Sequence, residues 1–402
     1  MSIPHLFRCP ISLDIFTDPV TLCTGQTYDR QCIERWLADG HRTCPVTMQA
    51  LGDATALVPN RTLRHLIERW LSAATVDHRL PESSAADEEP SLAALKRCLQ
   101  SDATATAAKI AALEKVMALA SESDVGRACM LQLGFLCVLL PLIFHAAPVA
   151  PTERRGAEAE ELALQCALSL MPSNAAAPQL DCLNILKKEA NLAYFVRLLE
   201  RGSGRAKAGL CRLLEIIATA VATRDLALIV AASPRVWQAL LPLLQQQDVP
   251  ASDPRASEAA VRAIAAVCAA EPARGSAIHH GVVGALFRHL TWWVYGKGGG
   301  AVSSALAALE ALTETDAGRR AVARAPGATR VLVRHVFMMS SSNDGSEHAA
   351  AALLSVCRES RAARSEAVGA GVVTQLLLLL QSQCGARAKA KARALLKLLK
   401  SR

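Results

Sequence analysis

The chain has 402 residues, more than one ordinary domain, and its hydrophobic content of 51% excludes disorder of the whole chain and predicts two folded regions. Aromatic residues amount to only 4%, while Ala and Leu are abundant, which favours a mainly α fold. The 44 basic residues are interleaved with 36 acidic ones, so the net charge of +8 does not form the dense basic stripe that a nucleic-acid partner requires.

The cysteines and the apolar runs indicate the compartment. Thirteen cysteines, an odd number, occur at irregular spacings, and several, such as Cys211 and Cys268, lie in apolar helical stretches where small buried hydrophobes are expected. The N-terminus lacks the basic start and apolar run of a secretory signal, and an apolar run such as 372–380 is about half the ~20 residues of a membrane span. We expect a reducing compartment without stable membrane insertion: the cytoplasm, with the nucleus as a second location.

A small α+β domain is predicted at 3–76, where Pro, Gly, Thr, Asp and Trp are interleaved. Residues 19–22 are typical of a hairpin strand, and Gly25 can take the positive φ that the turn needs. Asp29 is a natural N-cap for the helix that follows. The apolar faces predicted for this helix and for a closing helix are Ile33, Trp36 and Leu37, then Leu63, Leu66, Ile67 and Trp70.

An ordered set of motifs covers nearly the whole of this domain. The motifs are at 7–14, 18–30, 33–37, 43–47 and 59–70. Together they resemble the U-box family, and with the helical pattern that follows, the chain is similar to the plant U-box/armadillo class of ubiquitin ligases. The resemblance implies a zinc-free, RING-like module that recruits a ubiquitin-charged ubiquitin-conjugating enzyme (E2).

The resemblance also implies where the E2 binds. Ile11 and Leu13 on the first loop, Trp36 on the central helix and Pro45 on the second loop would form a shallow apolar groove. Aromatic and proline anchors suit this role because interface energy concentrates in a few such groups. Packing in the domain core is the alternative for Ile11, Leu13 and Trp36.

The family implies no catalytic residue on this chain and no covalent ubiquitin intermediate. The E2 carries ubiquitin as a thioester, and the ligase would hold it in position for attack by a substrate lysine. Some U-boxes place an Arg directly after the Pro-Val-Thr-like sequence of the second loop to bridge ubiquitin and the E2, but this chain has Met48 there. Gln49 or Arg42 are the candidates to substitute for it.

Zinc is not expected in this domain, although Cys9, Cys23, Cys32 and Cys44 lie within it. Structural zinc ligands come in close pairs such as C-x2-C, whereas 13, 8 and 11 residues separate these four cysteines. We therefore predict no metal and no cofactor. A network of hydrogen bonds and salt bridges would replace the metal, with these candidates: Asp14, Asp18, Tyr28, Arg30, Glu34 and Asn60.

An acidic, polar linker is predicted at 77–90 and an α-helical repeat array at 91–402. Short apolar helices begin at Gly281, Gly327 and Gly371, at intervals of 46 and 44 residues. Weaker copies begin near Ser233, Ala190 and Leu133. This period matches armadillo or HEAT repeats and predicts an α-solenoid of about six repeats with a concave groove that grips a protein segment.

Three segments of the array have features beyond the repeat pattern. The long gap between the copies near Leu133 and Ala190, which includes residues 148–155, departs from the period, and we expect a loop or an irregular repeat there. The basic segment 387–400 is interpreted as the last helix of the array, with membrane-surface or nuclear-import contact as the alternative. The aromatic cluster 292–295 is either a binding surface or repeat core.

The sequence thus predicts an E3 ubiquitin ligase whose repeats hold the substrate, in immune or stress signalling by resemblance to plant relatives. The alternative is an armadillo scaffold with weak or no ligase activity. An importin-like carrier would need ordered Trp-Asn pairs along the repeats, and the sequence has none. The expected partners are a charged E2 and a protein substrate, and a homodimer is a further expectation.

Overall fold

The structure, a computed structural model, describes residues 4–52, 57–75, 91–101, 103–144, 154–172, 174–245, 254–293, 300–337 and 344–400. The chain divides into two compact units, Met1–Pro172 and Ser173–Arg402. The first unit contains a small mixed module and the first helices of the array. The predicted linker 77–90 and the side chains of the cluster 292–295 lie outside what is described, and the predicted domain limits stay a prediction.

The mixed module contains a three-stranded antiparallel sheet with the strand order β2-β1-β3. In this sheet Val20 of β1 lies opposite Tyr28 of β2 and Pro59 of β3. The elements in chain order are a 3-10 turn at His5–Phe7, β1 at Pro19–Thr21, β2 at Thr27–Asp29, α1 at Arg30–Ala38, β3 at Val58–Pro59 and α2 at Arg61–Thr75.

The hairpin between β1 and β2 closes as the sequence predicts. Gly25 has a φ of +79°, and its N–H donates to the carbonyl of Leu22 at 2.9 Å. A left-handed backbone of this kind costs a residue with a side chain about 1–2 kcal/mol, which glycine avoids. The turn therefore brings Tyr28 back beside Val20, where both are fully buried.

The closing helix α2 packs its predicted stripe inwards, since Leu63, Leu66 and Ile67 are buried. Trp70 is half-buried, and its ring and that of Phe7 pack in a T-shaped arrangement with centroids 5.8 Å apart. Burying side chains of this size contributes about 1.5–3 kcal/mol each. These contacts join the two ends of the module.

The helices of the array in the first unit follow this module. They are α3 at Leu92–Gln100, α4 at Thr106–Glu122, α5 at Asp124–Gln132, α6 at Phe135–Ile143 and α7 at Arg154–Leu170. The long helices α4 and α7 pack against each other, and α5 and α6 pack against α7.

The second unit is helical throughout its described residues. It begins with a 3-10 helix at Pro178–Lys187 and continues with α8 at Glu189–Arg201, α9 at Gly204–Thr219, a 3-10 turn at Val221–Thr223, α10 at Arg224–Ala232, α11 at Pro234–Gln245, α12 at Pro254–Ala269, α13 at Glu271–His279, α14 at Val282–Trp293, α15 at Gly300–Thr313, α16 at Asp316–Arg324, α17 at Ala328–Val336, α18 at Asp344–Glu359, α19 at Arg361–Gly369, α20 at Val372–Gln381 and α21 at Ala386–Lys400.

The helices of the second unit stack in rows, as in an α-solenoid. Each repeat has a first, a second and a long third helix. Every third helix packs on the third helix of the next repeat, in the row α9, α12, α15, α18 and α21. The second helices pack in the same way, in the row α8, α11, α14, α17 and α20. The described residues contain six three-helix repeats, the first of them α5–α7, besides the pair α3 and α4. The predicted fold class, a small α+β module followed by an armadillo-type α-solenoid, is confirmed.

Glycines explain why the period was visible in the sequence. Gly134, Gly281, Gly327 and Gly371 each precede a second helix and have φ between 70° and 83°. The left-handed backbone lets the chain reverse from the first helix into the second, and the missing Cβ makes this inexpensive. At α8 and α11 the chain turns without such a glycine, which is why those copies were weak.

An irregular first helix appears where the period failed. The 3-10 helix Pro178–Lys187 stands in the place of the short first helix that the later repeats have, whereas 145–153 lie outside the described residues. The tail segment is the last helix of the array, as interpreted, because α21 packs on α18 and α20 and buries Leu395.

A repeated arginine joins neighbouring repeats. The Arg274 side chain, on α13, donates to the carbonyls of Cys268 and Ala269 at the end of the preceding repeat at 3.1 and 3.2 Å, and at 2.7 Å to Glu314, which follows α15. Arg319, 45 residues later, donates to the carbonyls that end α15 and pairs with Glu359. Each arginine therefore caps one long helix and connects it to the next repeat.

Three fully buried cysteines of the array, Cys211, Cys268 and Cys357, are packing residues. Burial raises the pKa of the Cys211 and Cys268 thiols to about 12 and that of Cys357 to about 11. Thiols with such pKa values are inert small hydrophobes.

Across the described ranges, no single helix is long and apolar enough to cross a membrane. Three strongly bent helix pairs meet the length and composition criteria only when the two helices of each pair are counted together.

A candidate partner surface built from two equivalent loops

Hydrogen bonds within its own backbone fix the conformation of the first loop, residues 9–14. The N–H of Cys9 donates to the carbonyl of Asp14, and the N–H of Leu13 donates to the carbonyl of Cys9, both at 2.8 Å. Arg8 donates from Nη1 to the carbonyl of Leu13, also at 2.8 Å. Leu13 has a φ of 62°, unusual for a residue with a side chain. The loop thus presents Leu13 outwards.

The second loop, residues 44–49, has the same construction 35 residues later. Cys44 and Gln49 repeat the first bond at 2.9 Å, and Met48 donates to the carbonyl of Cys44 at 2.9 Å. Met48 has a φ of 58°, the same left-handed conformation as Leu13. Both loops carry the pattern Cys-Pro, an aliphatic residue, Ser or Thr, and a second large apolar residue. The two loops are therefore structural equivalents.

Each loop exposes a pair of apolar side chains. Ile11 and Leu13 are 36% and 64% exposed, and the equivalent Val46 and Met48 are 51% and 70% exposed. Pro45 is half-buried at the start of the second loop. Large apolar side chains grouped in this way mark an interaction surface more often than a chance exposure. Sequence reasoning missed Val46 and the apolar role of Met48, although the 35-residue repeat of the motif was a usable signal.

Trp36 lies on α1, half-buried, with its indole fixed in two ways. Its Nε1–H donates to the carbonyl of Thr43 at 2.9 Å, directly before the second loop. The imidazole of His41 stacks on the indole with ring centroids 3.9 Å apart and planes 17° apart. Of the four predicted E2-contact residues, the structure therefore brings Trp36 and Pro45 to the second loop and keeps Ile11 and Leu13 on the first.

Both loops are anchored on β2 through their cysteines. The Sγ of Cys9 accepts the backbone N–H of Asp29 at 3.3 Å. The Sγ of Cys44 lies 3.1 Å from the hydroxyl of Tyr28, which in turn accepts the N–H of Val46 at 3.2 Å. Consecutive residues of one strand thus support the two halves of the surface.

The hydrogen bonds to Cys44 change its acidity. Burial raises the pKa of the Cys44 thiol, but hydroxyl donors, among them Thr24 at 3.4 Å and Tyr28, outweigh burial and lower the pKa to about 6. Burial and the bond to Cys44 raise the pKa of Tyr28 above its ordinary range. The thiolate form therefore strengthens the attachment of the second loop to the sheet.

Charged groups connect the segment directly before β1 to both helices of the module. Asp18 pairs with Arg30 of α1 at 2.6 Å and with Arg64 of α2 at 3.0 Å, and Arg30 lies 3.6 Å from Glu34. The hydrogen bond to Asp18 raises the pKa of Arg30. Exposed pairs contribute about 0–1 kcal/mol each, so this cluster orients the elements more than it stabilises them. Arg64 was not among the predicted members of the network.

Asp29 has a different role from the predicted one. It occupies the N-cap position of α1, but its side chain makes no cap hydrogen bond. Its carboxylate instead accepts the backbone N–H groups of Thr17 and Asp18 at 2.6 and 3.1 Å. The prediction of an Asp29 cap was wrong because a non-local partner outcompetes the helix terminus. The described contacts of Asp14 are made by its backbone, so its place in the side-chain network stays a prediction.

Asn60 connects the hairpin to the closing helix. Its Nδ2 donates to the hydroxyls of Thr21 and Thr27 at 3.4 and 3.3 Å, and its Oδ1 accepts the N–H of Leu63 at 3.0 Å. One amide therefore caps α2 and joins β1 to β2. In the part of the chain that is described, no group of three or more His, Cys, Asp or Glu could hold a metal ion.

The row of third helices carries a second set of charged groups. His348 on α18 lies 2.5 Å from Glu310 on α15, and Arg387 on α21 lies 2.9 Å from Glu347 and 3.7 Å from Glu310. Burial raises the pKa of Glu310, but the His348 hydrogen bond and nearby cations outweigh it and hold the pKa below its ordinary value. The third-helix row thus presents a polar, partly buried face across successive repeats.

Comparison with known proteins agrees with this architecture. A model of the U-box domain matches residues 3–75, and a model of the plant U-box protein ARM repeat region matches residues 92–402. U-box domain-containing protein 26 of Arabidopsis thaliana is 34% identical over 410 residues, 100% of this chain and 92% of its own length.

Two relatives have names that state an activity. E3 ubiquitin-protein ligase PUB23 of Arabidopsis thaliana is 29% identical over 406 residues, 99% of this chain and 93% of its own. E3 ubiquitin-protein ligase SPL11 of Oryza sativa subsp. japonica is 37% identical over 151 residues, 36% of this chain and 21% of its own. A U-box followed by armadillo repeats defines a class of ubiquitin-protein transferases. The chain belongs to the plant U-box proteins with ARM repeats.

Proposed function

We propose that the two-loop surface binds a ubiquitin-charged E2 through Ile11, Leu13, Trp36 and Pro45, and that the array holds the protein substrate. The observation that carries the proposal is the exposed apolar pair on each of the two loops, together with the fixed indole next to the second loop. Rigid aromatic and proline anchors lose little entropy on binding, so a small surface of this kind suffices for a specific partner.

The reaction that this surface serves needs no nucleophile on the chain. The amine of a substrate lysine attacks the carbonyl carbon of the E2 thioester, the carbon–sulfur bond breaks, and the E2 leaves as the thiolate while the new isopeptide bond forms. The role of this chain is to bring E2 and substrate together and to restrict the flexible ubiquitin. Proximity and orientation of this kind are worth several kcal/mol when the geometry is tightly held.

The third-helix row supports the proposal that the array holds the substrate. Its charged groups, Glu310, Glu347, His348 and Arg387, offer both donors and acceptors to an irregular protein segment. The named activities of PUB23 and SPL11 support a ligase.

By resemblance to plant relatives, we extend the proposal to immune or stress signalling in the cytoplasm and nucleus. A homodimer is also proposed, which sedimentation at micromolar concentration tests.

A reconstituted reaction tests the main proposal. The full chain with ubiquitin, activating enzyme, E2 and ATP is expected to build ubiquitin chains, on itself when no substrate is present. Trp36→Ala and Ile11→Ala are expected to abolish chain formation while circular dichroism stays unchanged. Val58→Ala is the matched control, because Val58 is 59% exposed on β3 outside both loops. Equal activity of the Trp36 variant would show that the surface is assigned wrongly.

Met48 favours a second candidate function, an E2-binding scaffold with weak ligase activity. Its side chain carries no charge at the position where some U-boxes bridge ubiquitin and E2 with an arginine. In that case Met48→Arg should raise single-turnover discharge of the charged E2, measured at a saturating concentration of this chain, by about tenfold, the value of a charged hydrogen bond. If Met48→Arg discharged the E2 at the same rate as the wild type, Met48 would not limit activity. That result would favour the ligase over the scaffold.

A further inference from the structure

The chain reverses direction after α1 because of a glycine. Gly40 has a φ of +86°, and its N–H donates to the carbonyl of Leu37 at 3.1 Å, which ends the helix. A residue with a Cβ would be strained in this conformation. The reversal carries the next residue, His41, back over the last turn of α1, where Trp36 lies.

His41 touches Trp36 at two separate places. Its imidazole covers one face of the indole at a centroid distance of 3.9 Å, and its Nδ1 lies 3.1 Å from the backbone carbonyl of Trp36. A carbonyl oxygen only accepts hydrogen bonds, so Nδ1 carries the proton and donates. The indole Nε1–H meanwhile donates to Thr43. The ring is therefore held at its polar edge and on one face, while His41 itself is exposed.

We propose that His41 is a positioning residue for the E2-binding surface, which fixes the Trp36 indole in the orientation that the partner meets. The inference rests on the proposed function, because it assumes that Trp36 contacts the E2. A side chain that is already ordered does not have to be immobilised on binding, and this saving corresponds to a change in affinity of about two- to tenfold. Because His41 does not touch the thioester, it changes binding and leaves the chemical step alone.

Steady-state kinetics of the full chain with varied charged E2 test the kinetic part. His41→Ala is expected to raise KM for the charged E2 about two- to tenfold with kcat unchanged. His41→Phe keeps a ring over the indole and should restore most of the wild-type KM. His65→Ala is the matched control, an exposed histidine on α2. An unchanged KM in His41→Ala, or no rescue by His41→Phe, would overturn the inference.

Hydrogen exchange of the Trp36 indole tests the positioning directly and does not depend on ligase activity. The indole resonance is assigned by its loss in Trp36→Phe. Exchange of this N–H with solvent should be faster in His41→Ala than in the wild type and close to wild type in His41→Phe. Unchanged exchange in His41→Ala overturns the inference even if Trp36→Ala still abolishes chain formation. Conversely, an active Trp36→Ala variant overturns the proposed function itself.

Discussion

Leu13 and Met48 occupy the same position in two loops 35 residues apart, and both have a positive φ, 62° and 58°. Neither side chain is buried, so packing inside the module does not offset the free-energy cost of the backbone strain. Strain of this kind costs about 1–3 kcal/mol per residue and is retained where a side chain must be aimed at a partner. The pair therefore supports the proposal that both loops belong to one binding surface.

Glycine at these two positions separates binding from folding. Leu13→Gly and Met48→Gly should leave the free energy of unfolding unchanged or raise it by up to about 1 kcal/mol, because glycine accepts the left-handed backbone. The same variants should weaken E2 binding, measured by NMR titration. Leu13→Ala and Met48→Ala keep the strain and serve as controls. A clear loss of stability in the glycine variants would refute the account of strain.

The thiol of Cys44 should titrate within the neutral range. Its folded pKa of about 6 lies below the ordinary value of 9.0, so its stabilising effect is complete above pH 9 and is lost as the pH falls through about 6. Thiolate absorbance at 240 nm, taken as wild type minus Cys44→Ser, should show a transition near pH 6. Tyr28→Phe removes one donor and should move the transition upwards. Buried thiols such as Cys211 do not interfere, because burial raises their pKa to about 12.

Should the difference spectrum show no transition between pH 5 and pH 8, the hydroxyl donors would not hold a thiolate. Tyr28→Phe is also expected to lower the free energy of unfolding by about 1–3 kcal/mol, because the N–H of Val46 loses its acceptor. Chemical denaturation checks this value.

Gly318 sits where a helix of one repeat crosses the end of the long helix before it. A Cβ there would lie 1.9 Å from the carbonyl oxygen of Leu312, so Gly318→Ala must move the backbone and should cost about 1–3 kcal/mol or more. Gly275→Ala is the matched control, because a Cβ at Gly275 meets nothing within 4 Å. That variant should be neutral or slightly stabilising, since alanine favours helix. Equal melting temperatures for the two variants would contradict the predicted close contact.

Glu310 should stabilise the array in a pH-dependent way. Its pKa is lowered in the folded chain, so its contribution is present above the ordinary pKa of 4.5 and is lost as the pH falls through the folded value. Glu310→Gln should therefore cost about 1 kcal/mol at pH 7, as expected for a partly buried charged hydrogen bond. The difference from wild type should shrink below pH 4.5, measured by denaturation across pH.

Glu366→Gln provides the comparison for an exposed ion pair. Glu366 lies 3.5 Å from Arg330, whose side chain is 77% exposed, so this substitution should be nearly neutral. A cost for Glu366→Gln as large as that for Glu310→Gln would contradict the importance of burial.

Local patterns carried the correct part of the sequence analysis. The glycines at 281, 327 and 371 revealed the repeat because each satisfies a backbone requirement of a single turn. The stripe on α2 was visible because helical spacing places Leu63, Leu66 and Ile67 on one face. Features of this kind depend on neighbours within a few residues, and a sequence records them directly.

Non-local partners account for what was missed. The Asp29 carboxylate accepts hydrogen bonds from backbone N–H groups 11 and 12 residues upstream instead of from the first turn of its own helix. Nothing in the local pattern predicts this. Arg274 and Arg319 were within reach, because they recur 45 residues apart and each bonds to a glutamate 40 residues later. A search for periodic polar residues beside the periodic glycines would have found them.

The attachment of both loops to Tyr28 and Asp29 has a consequence for how the partner surface fails. With consecutive residues of one short strand as the common foundation, any distortion of that strand shifts the two halves together. A substitution that displaces the strand itself should therefore weaken partner binding through both loops, and not through one loop alone.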